Sequence, residues 1–158
     1  MYENLVIRLR EAIPEISITT DIIVGFPGER KEDFEDTLDM VRRIRFDGAF
    51  TFAYSPLAGT KAFKFDNQVP DEVKSKRLCE LIDVQKRITE EKNQYLVGKE
   101  FEVLVEGVSV KNPEELQGRI RQNKIIVFKG EKDLIGKLVN VKVLRAGCWA
   151  SRGERIIC

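Results

Sequence analysis

Apolar positions recur at helical spacing from the start of the chain: Leu5, Val6, Leu9, Ala12 and Ile13 share one face until Pro14 ends the pattern, which predicts a short helix. The β-branched stretch from Ile16 to Val24 predicts a strand that breaks at Gly25-Phe26-Pro27-Gly28, after which Phe34, Leu38, Val41 and Ile44 mark one face of a second helix. A second strand is expected from Ala49 to Tyr54, opening into an irregular loop through Ser55-Pro56 and Gly59-Thr60. A long helix starts near Pro70, with Asp71 and Glu72 complementing the dipole of its first turn. Val73, Leu78, Leu81, Ile82, Gln85 and Ile88 carry it to about Leu96, and Gly98 ends it. The order to this point is αβαβα.

From Phe101 the period drops to two, with Phe101, Val103 and Val105 alternating with Glu102, Leu104 and Glu106. Further short strands are expected at Leu116 to Arg121, Lys124 to Phe128 and Leu138 to Leu144, separated by turn residues at Asn112-Pro113, Gln122-Asn123, Gly130 and Gly136. The pattern predicts an α/β part followed by a small all-β barrel or sandwich of about five short strands. Two parallel strands with crossover helices do not make a stable layer alone, because a parallel sheet needs both faces covered and further strands. A complete (β/α)₈ barrel takes about 250 residues, so the α/β part reads as a piece of a larger sheet.

Charge sharpens this division. The 158 residues carry a net charge of +1, but residues 1–97 hold 15 Lys/Arg against 18 Asp/Glu, a net of −3, while residues 98–158 hold 12 against 8, a net of +4. An acidic first part and a basic second part indicate two modules, the second suited to a polyanion. With 42% hydrophobic and 34% charged residues the chain falls in the globular class. No apolar run reaches the roughly 20 residues of a membrane span, and Met1 to Pro14 carries Glu3, Arg8, Arg10 and Glu11, unlike a secretion signal. The expected location is cytoplasmic, without membrane association. The chain has no histidine, which removes imidazole triads and histidine metal sites. Cys79, Cys148 and Cys158 are too few and too scattered for a disulfide framework or a C-x-x-C metal pair, so no metal site is expected.

Candidate chemistry falls in three places. In open parallel or barrel folds, ligands sit at the carboxyl ends of strands, where a strand-to-helix loop offers free N–H groups and a helix dipole. That places a ligand at Gly25-Phe26-Pro27-Gly28, with Asp21, an isolated carboxylate in an apolar strand, able to accept hydrogen bonds from a vicinal diol such as a ribose. The same residues also read as a tight turn with Asp21 paired to a lysine or arginine. The loop Tyr54 to Thr60 puts hydroxyls and a glycine on the same side, or Ser55 and Thr60 satisfy their own backbone there. In the basic module, Arg119, Arg121, Lys124, Lys129, Lys137 and Lys142 lie on or beside short strands, interleaved with Phe101, Phe128 and Trp149. Cations for phosphates with rings for stacking are what single-stranded or loop RNA binding requires; a solvated charged face with aromatic core residues is the alternative. Cys79, among apolar neighbours on the long helix, is expected in the core.

Taken together, the stretches TTDIIVGFPGE (residues 19–29), EDFEDTLDMV (32–41), FDGAFTFAYSPLAGT (46–60), QVPDEVKSKRL (68–78), GKEFEVLVEG (98–107) and GRIRQNKIIVFKG (118–130) resemble the C-terminal part of the radical-SAM tRNA methylthiotransferases. FDGAFTFAYSP most resembles the branch that adds a methylthio group at C2 of isopentenylated adenosine beside the tRNA anticodon. Sister branches act on threonylcarbamoyl-adenosine or on a ribosomal-protein aspartate. The resemblance implies an α/β plus all-β fold: residues 1–97 as the end of a partial parallel (β/α) barrel including the long connecting helix, and residues 98–158 as a five-stranded TRAM β-barrel that binds RNA. It implies S-adenosylmethionine as cofactor, with Asp21, Gly25, Pro27, Gly28 and Ser55 on its side of the barrel. Arg119, Arg121, Lys124 and Lys129 would face the tRNA anticodon stem-loop. The family's [4Fe–4S] cluster sits on a C-x-x-x-C-x-x-C motif that these 158 residues lack, so the resemblance implies an N-terminal partner segment of the same protein, no cluster in this chain, and no catalytic residue assigned within it. A stand-alone RNA-binding module without catalysis is the other reading. Leu57, Lys61 and Arg30 stand where the family usually has Arg, Pro and Thr.

Overall fold

A computed structural model describes residues 1–156. The chain forms two compact units, one of Met1–Leu9 with Ile18–Thr89, the other of Arg10–Ser17 with the chain from Glu90 onward. The units divide between Thr89 and Glu90, inside the long helix, whereas the division expected from the sequence lies between residues 97 and 98.

The first unit is built on two parallel strands, β1 (Thr19–Val24) and β2 (Gly48–Ala53), with Asp21 opposite Phe50 and Ile23 opposite Phe52. Helix α1 (Tyr2–Ala12) precedes them, α2 (Lys31–Ile44) crosses between them, and α3 (Asp71–Gln94) follows. The expected face of α2 is the buried one: Phe34, Leu38, Val41 and Ile44 join Val6, Val24, Phe46, Leu81 and Ile88 in one core. At the start of α2 the Arg30 N–H donates to Asp33 Oδ2 at 2.8 Å. The Arg30 side chain also hydrogen-bonds the Asp33 carboxylate, and these bonds hold Asp33 below the usual carboxylate range. The helix ends at Arg45, whose left-handed backbone lets its N–H reach the Val41 carbonyl.

Leu78, Leu81, Gln85 and Ile88 form the inner line of α3. Gln85 is buried there, donating to the Phe46 carbonyl at 2.9 Å and to Thr89 Oγ1 at 3.0 Å, while Thr89 Oγ1 donates to the Asp47 carbonyl at 3.2 Å. These bonds satisfy backbone just before β2 that no neighbouring strand pairs. Cys79 was expected in the core and is exposed. Adjacent positions on a helix lie about 100° apart, and Leu78 takes the inner one.

The second unit is a closed barrel with strand order β3-β4-β5-β7-β6, made of β3 (Glu100–Val108), β4 (Glu115–Arg119), β5 (Ile125–Lys129), β6 (Leu138–Arg145) and β7 (Ala150–Arg155). Pairings are antiparallel except β5 with β7, and β3 closes on β6 through Phe101–Val141 and Val103–Val139. Irregularities between Val105 and Gly107 and between Val143 and Arg145 bend the two longest strands, as closure of so small a barrel requires. Val103, Val105, Leu116, Ile126, Phe128, Val141 and Val143 fill the interior. The alternation expected in β3 holds, with Val103 and Val105 inside and Glu102, Leu104 and Glu106 outside.

Gly118 faces inward on β4, opposite Val105. A Cβ there would collide with the Leu104 carbonyl oxygen and lie 2.6 Å from Val103 Cγ1. Gly118→Ala should therefore destabilise the barrel by about 1–3 kcal/mol, the usual cost of overpacking. Gly107→Ala, where the added carbon meets nothing within 4 Å, should cost less than about 0.5 kcal/mol. Urea titration followed by the methyl resonances of Val103 and Val141 checks both.

Candidate functional site

In the first unit the loops after β1 and β2 leave the same end of a parallel pair, since Val24 lies opposite Ala53. The first loop does not present a row of free donors. The Gly25 N–H donates to Glu29 Oε2 at 2.9 Å, the Gly28 N–H to the Asn67 carbonyl at 2.8 Å and the Glu29 N–H to the Phe26 carbonyl at 2.9 Å. Glu29 also takes the Arg77 guanidinium, and both side chains are largely buried. Gly25 has φ +74° and the aliphatic stem of Lys74 packs where a side chain would stand. Gly25 and Pro27 are buried and Gly28 is exposed. What this loop offers a ligand is therefore a fixed shape, with the Gly25, Gly28 and Glu29 amides already used.

Asp21 lies mid-strand on the open face of the sheet, exposed, with no hydrogen bond or ion pair to it among the described residues. Thr19, Ile23, Phe50 and Phe52 share that face, Phe50 being 66% and Phe52 53% exposed. That face is an apolar surface with a central carboxylate, left uncovered among the described residues. Ser55 is exposed at the end of β2. Thr60 satisfies its own backbone, donating to the Leu57 carbonyl at 2.8 Å and accepting from the Phe63 N–H.

In the barrel, Arg119 ends β4, Arg121 and Lys124 lie in the β4–β5 connection, and Lys129 lies at the far end of β5 opposite Glu115. The four cations are not equivalent. Arg119 Nε bonds both oxygens of Glu106 at 3.1 Å, and its Nη1 reaches the carbonyl and side-chain oxygens of Asn123 at 3.1 and 3.0 Å. Asn123 holds the turn with φ 59°, so Arg119 braces the hairpin with its charge already matched. The Arg121 side chain is 88% exposed, with Glu102 3.6 Å away; it is the open cation of this turn. Lys124 Nζ bonds Asn93 Oδ1, and Lys129 is exposed.

Sequence reasoning missed two polar features of this unit. Glu115 is buried, ion-paired through Oε1 with Arg152, while its Oε2 has no partner. The pair borders an open hollow of about 1030 Å³ that Lys129, Lys137 and Arg155 also line. Asn93 is buried and joins Lys124 to the carbonyls of Gly147 and Cys148. Glu115 carried a signal in its position beside Leu116 at a strand start, but Asn93 sits in a polar helical run that gives none.

This five-stranded barrel with cations crowded at one hairpin belongs to a recognised class, for residues 94–155 match the TRAM domain. The whole chain goes further. It is 52% identical over 155 residues to the tRNA-2-methylthio-N(6)-dimethylallyladenosine synthase of Moorella thermoacetica, covering 98% of this chain and 35% of that protein. It is 51% identical over 153 residues to the synthase of the same name from Acetivibrio thermocellus, covering 97% of this chain and 32% of the other. The similarity runs along nearly the whole of this chain, and the chain spans about a third of the length of the curated relatives it matches. Among solved structures, the solution structure of a conserved Methanococcus maripaludis protein is 24% identical and covers 39% of this chain and 80% of its own, at a TM-score of 0.32, too distant to carry an argument.

The Glu29–Arg77 pair fixes the loop after β1, so its loss should be felt in the whole unit. Arg77→Met leaves the Glu29 carboxylate enclosed with only the Gly25 N–H to hold it. The expected destabilisation is about 3 kcal/mol, the lower end for breaking a buried pair. Arg77→Met with Glu29→Gln should recover part of it. Urea unfolding followed by the core methyl resonances of Val24 and Leu81 measures both.

Proposed function

We propose that this chain is the C-terminal part of a cytoplasmic radical-SAM methylthiotransferase that adds a methylthio group at C2 of isopentenylated adenosine beside the tRNA anticodon. Its barrel binds the anticodon stem-loop, and its α/β unit forms one wall of the S-adenosylmethionine site. The observation that carries this reading is half-identity running through the α/β unit and the barrel alike to proteins named for that synthesis. The open sheet face supports it independently, since Phe50, Phe52 and Ile23 need the rest of a barrel to cover them. No helix among the described residues is long and apolar enough to cross a membrane.

The residues of the α/β unit fit S-adenosylmethionine in a limited way. Asp21 has a carboxylate free to accept from the two ribose hydroxyls, and the Gly25-Phe26-Pro27-Gly28 turn and Ser55 follow beyond the carboxyl ends of the two strands. Bound there, the cofactor would supply radical chemistry to the complete enzyme. The cysteines do not fit an iron–sulfur cluster. Cys79 and Cys148 belong to different units, and Cys158 lies outside the described residues. Cluster ligation is assigned to the part of the protein that precedes this segment in its relatives, and no step through it involves these residues. For the 158 residues taken alone, the self-contained barrel favours RNA binding without catalysis.

Three outcomes follow. Titration of the chain with an anticodon stem-loop should give an affinity that falls steeply with salt. Arg121→Ala should reduce the magnitude of the log–log slope by about 0.7–0.9, the share of one phosphate contact. A slope near zero, or parent-like binding by Arg121→Ala, would contradict the assignment. In the longer protein, Asp21→Ala should weaken S-adenosylmethionine binding by about 1–3 kcal/mol by calorimetry. Anaerobic iron and sulfide reconstitution of the 158-residue chain should leave it without a stoichiometric cluster, and a brown absorbance with matching iron content would refute that.

A further inference from the structure

The sequence offered three aromatic residues for base stacking in the barrel, and the structure disposes of two. Phe128 is 1% exposed in the interior, and Phe101 packs against the same core. Tyr95, exposed beside the barrel, already has the Lys99 ammonium over its ring. Trp149 is different: it is 86% exposed, in the connection between β6 and β7. A large indole held in water at that level forgoes hydrophobic burial, so its surroundings decide whether it has a use.

Those surroundings are fixed and cationic. Strands β5 and β7 run parallel with Ile125 opposite Ala150, so the residues just before them, Lys124 and Trp149, start adjacent strands side by side. The chain entering Trp149 is fastened by Asn93, whose Nδ2 donates to the Gly147 carbonyl at 2.8 Å and the Cys148 carbonyl at 3.3 Å, while its Oδ1 accepts from Lys124 Nζ. One buried amide thus ties the tryptophan connection to the hairpin that bears Arg121. Arg145 and Arg152 face each other across β6 and β7 on the other flank of the same connection, Arg152 being ion-paired with Glu115.

We propose that Trp149 is a stacking platform for an unpaired nucleobase of the bound RNA, held by Asn93 beside the cationic β4–β5 hairpin. The inference rests on the RNA-binding reading above and adds a selectivity to it. Cations at the hairpin attract any phosphate backbone, whereas an indole face engages only a base free of its own stack. The platform makes the barrel prefer a loop to a duplex. Because the connection is already fastened to a buried side chain, little ordering remains to oppose stacking.

The chain contains a single tryptophan, so its fluorescence reports this residue alone. The full chain is titrated with an end-labelled RNA hairpin carrying an unpaired loop and, separately, with a blunt duplex of the same length, following RNA anisotropy and tryptophan emission together. The hairpin should quench the emission in step with binding, and the duplex should bind more weakly with little quenching. Trp149→Ala should weaken hairpin binding by roughly 5- to 100-fold with an unchanged salt slope, and Trp149→Phe should recover most of it. Hairpin binding with unaltered emission, or full affinity in Trp149→Ala, overturns the stacking role and leaves the RNA-binding reading standing. Failure of the parent chain to bind the hairpin overturns both. Quenching by a protein segment and not by RNA would give the surface to a protein partner and also overturn the proposal.

Discussion

Every β-strand has two hydrogen-bonding edges, and an edge that no strand pairs must be solvated or covered. The two units of this chain meet that constraint in opposite ways. The barrel satisfies it fully: each of its five strands has a neighbour on both sides, and β7 completes the circuit between β5 and β6. The α/β unit has only two strands, each paired on one side, and one bare face with two phenylalanines. Self-sufficiency in one unit and dependence in the other mean that the barrel is complete as it stands, while the parallel pair calls for further strands.

In both units the functional loops are stiffened from outside the strands. Glu29 draws the Gly25 amide and the Arg77 guanidinium together and fixes the turn at the carboxyl end of β1. Asn93 does the equivalent for the barrel by holding Lys124 and the connection before Trp149. Arg119 braces the hairpin with Glu106 and Asn123, leaving Arg121 as the exposed cation. The barrel cations are thus divided between those held by several partners, as Arg119 is, and largely exposed ones such as Arg121, whose ion pair with Glu102 spans 3.6 Å.

Much of the fold was legible because burial imposes a period. Phe34, Leu38, Val41 and Ile44 on α2, and Val103 and Val105 on β3, are spaced as their elements require and are buried. The closing strand β7 was not visible, since its inward positions are Ser151 and Gly153. A side chain at Gly153 would lie 2.5 Å from Val141 Cγ1, so the barrel has room only for small residues there and the apolar alternation vanishes. Of the site, the strand-end loops could be located from Gly25, Pro27, Gly28 and Ser55. The expectation of free amides in the first of them failed because Glu29, Asn67 and Phe26 consume them. Asp21 shows neither the burial nor the ion pair that an apolar strand suggested, because the face it occupies is open. The exposure of Cys79 followed from a rotation of one position around α3. Long-range partners such as Asn93 with Gly147 are set by tertiary closure and leave no local trace.

The central claim is that the barrel is complete and the parallel sheet is not, and amide hydrogen exchange on the 158-residue chain tests it directly. Closure predicts slow exchange near the global limit for inner amides of all five barrel strands, β7 included, with fast exchange for the outer-edge amides of β1 and β2. Equal protection of β1 and β2 with the barrel strands, or fast exchange throughout β7, would contradict it.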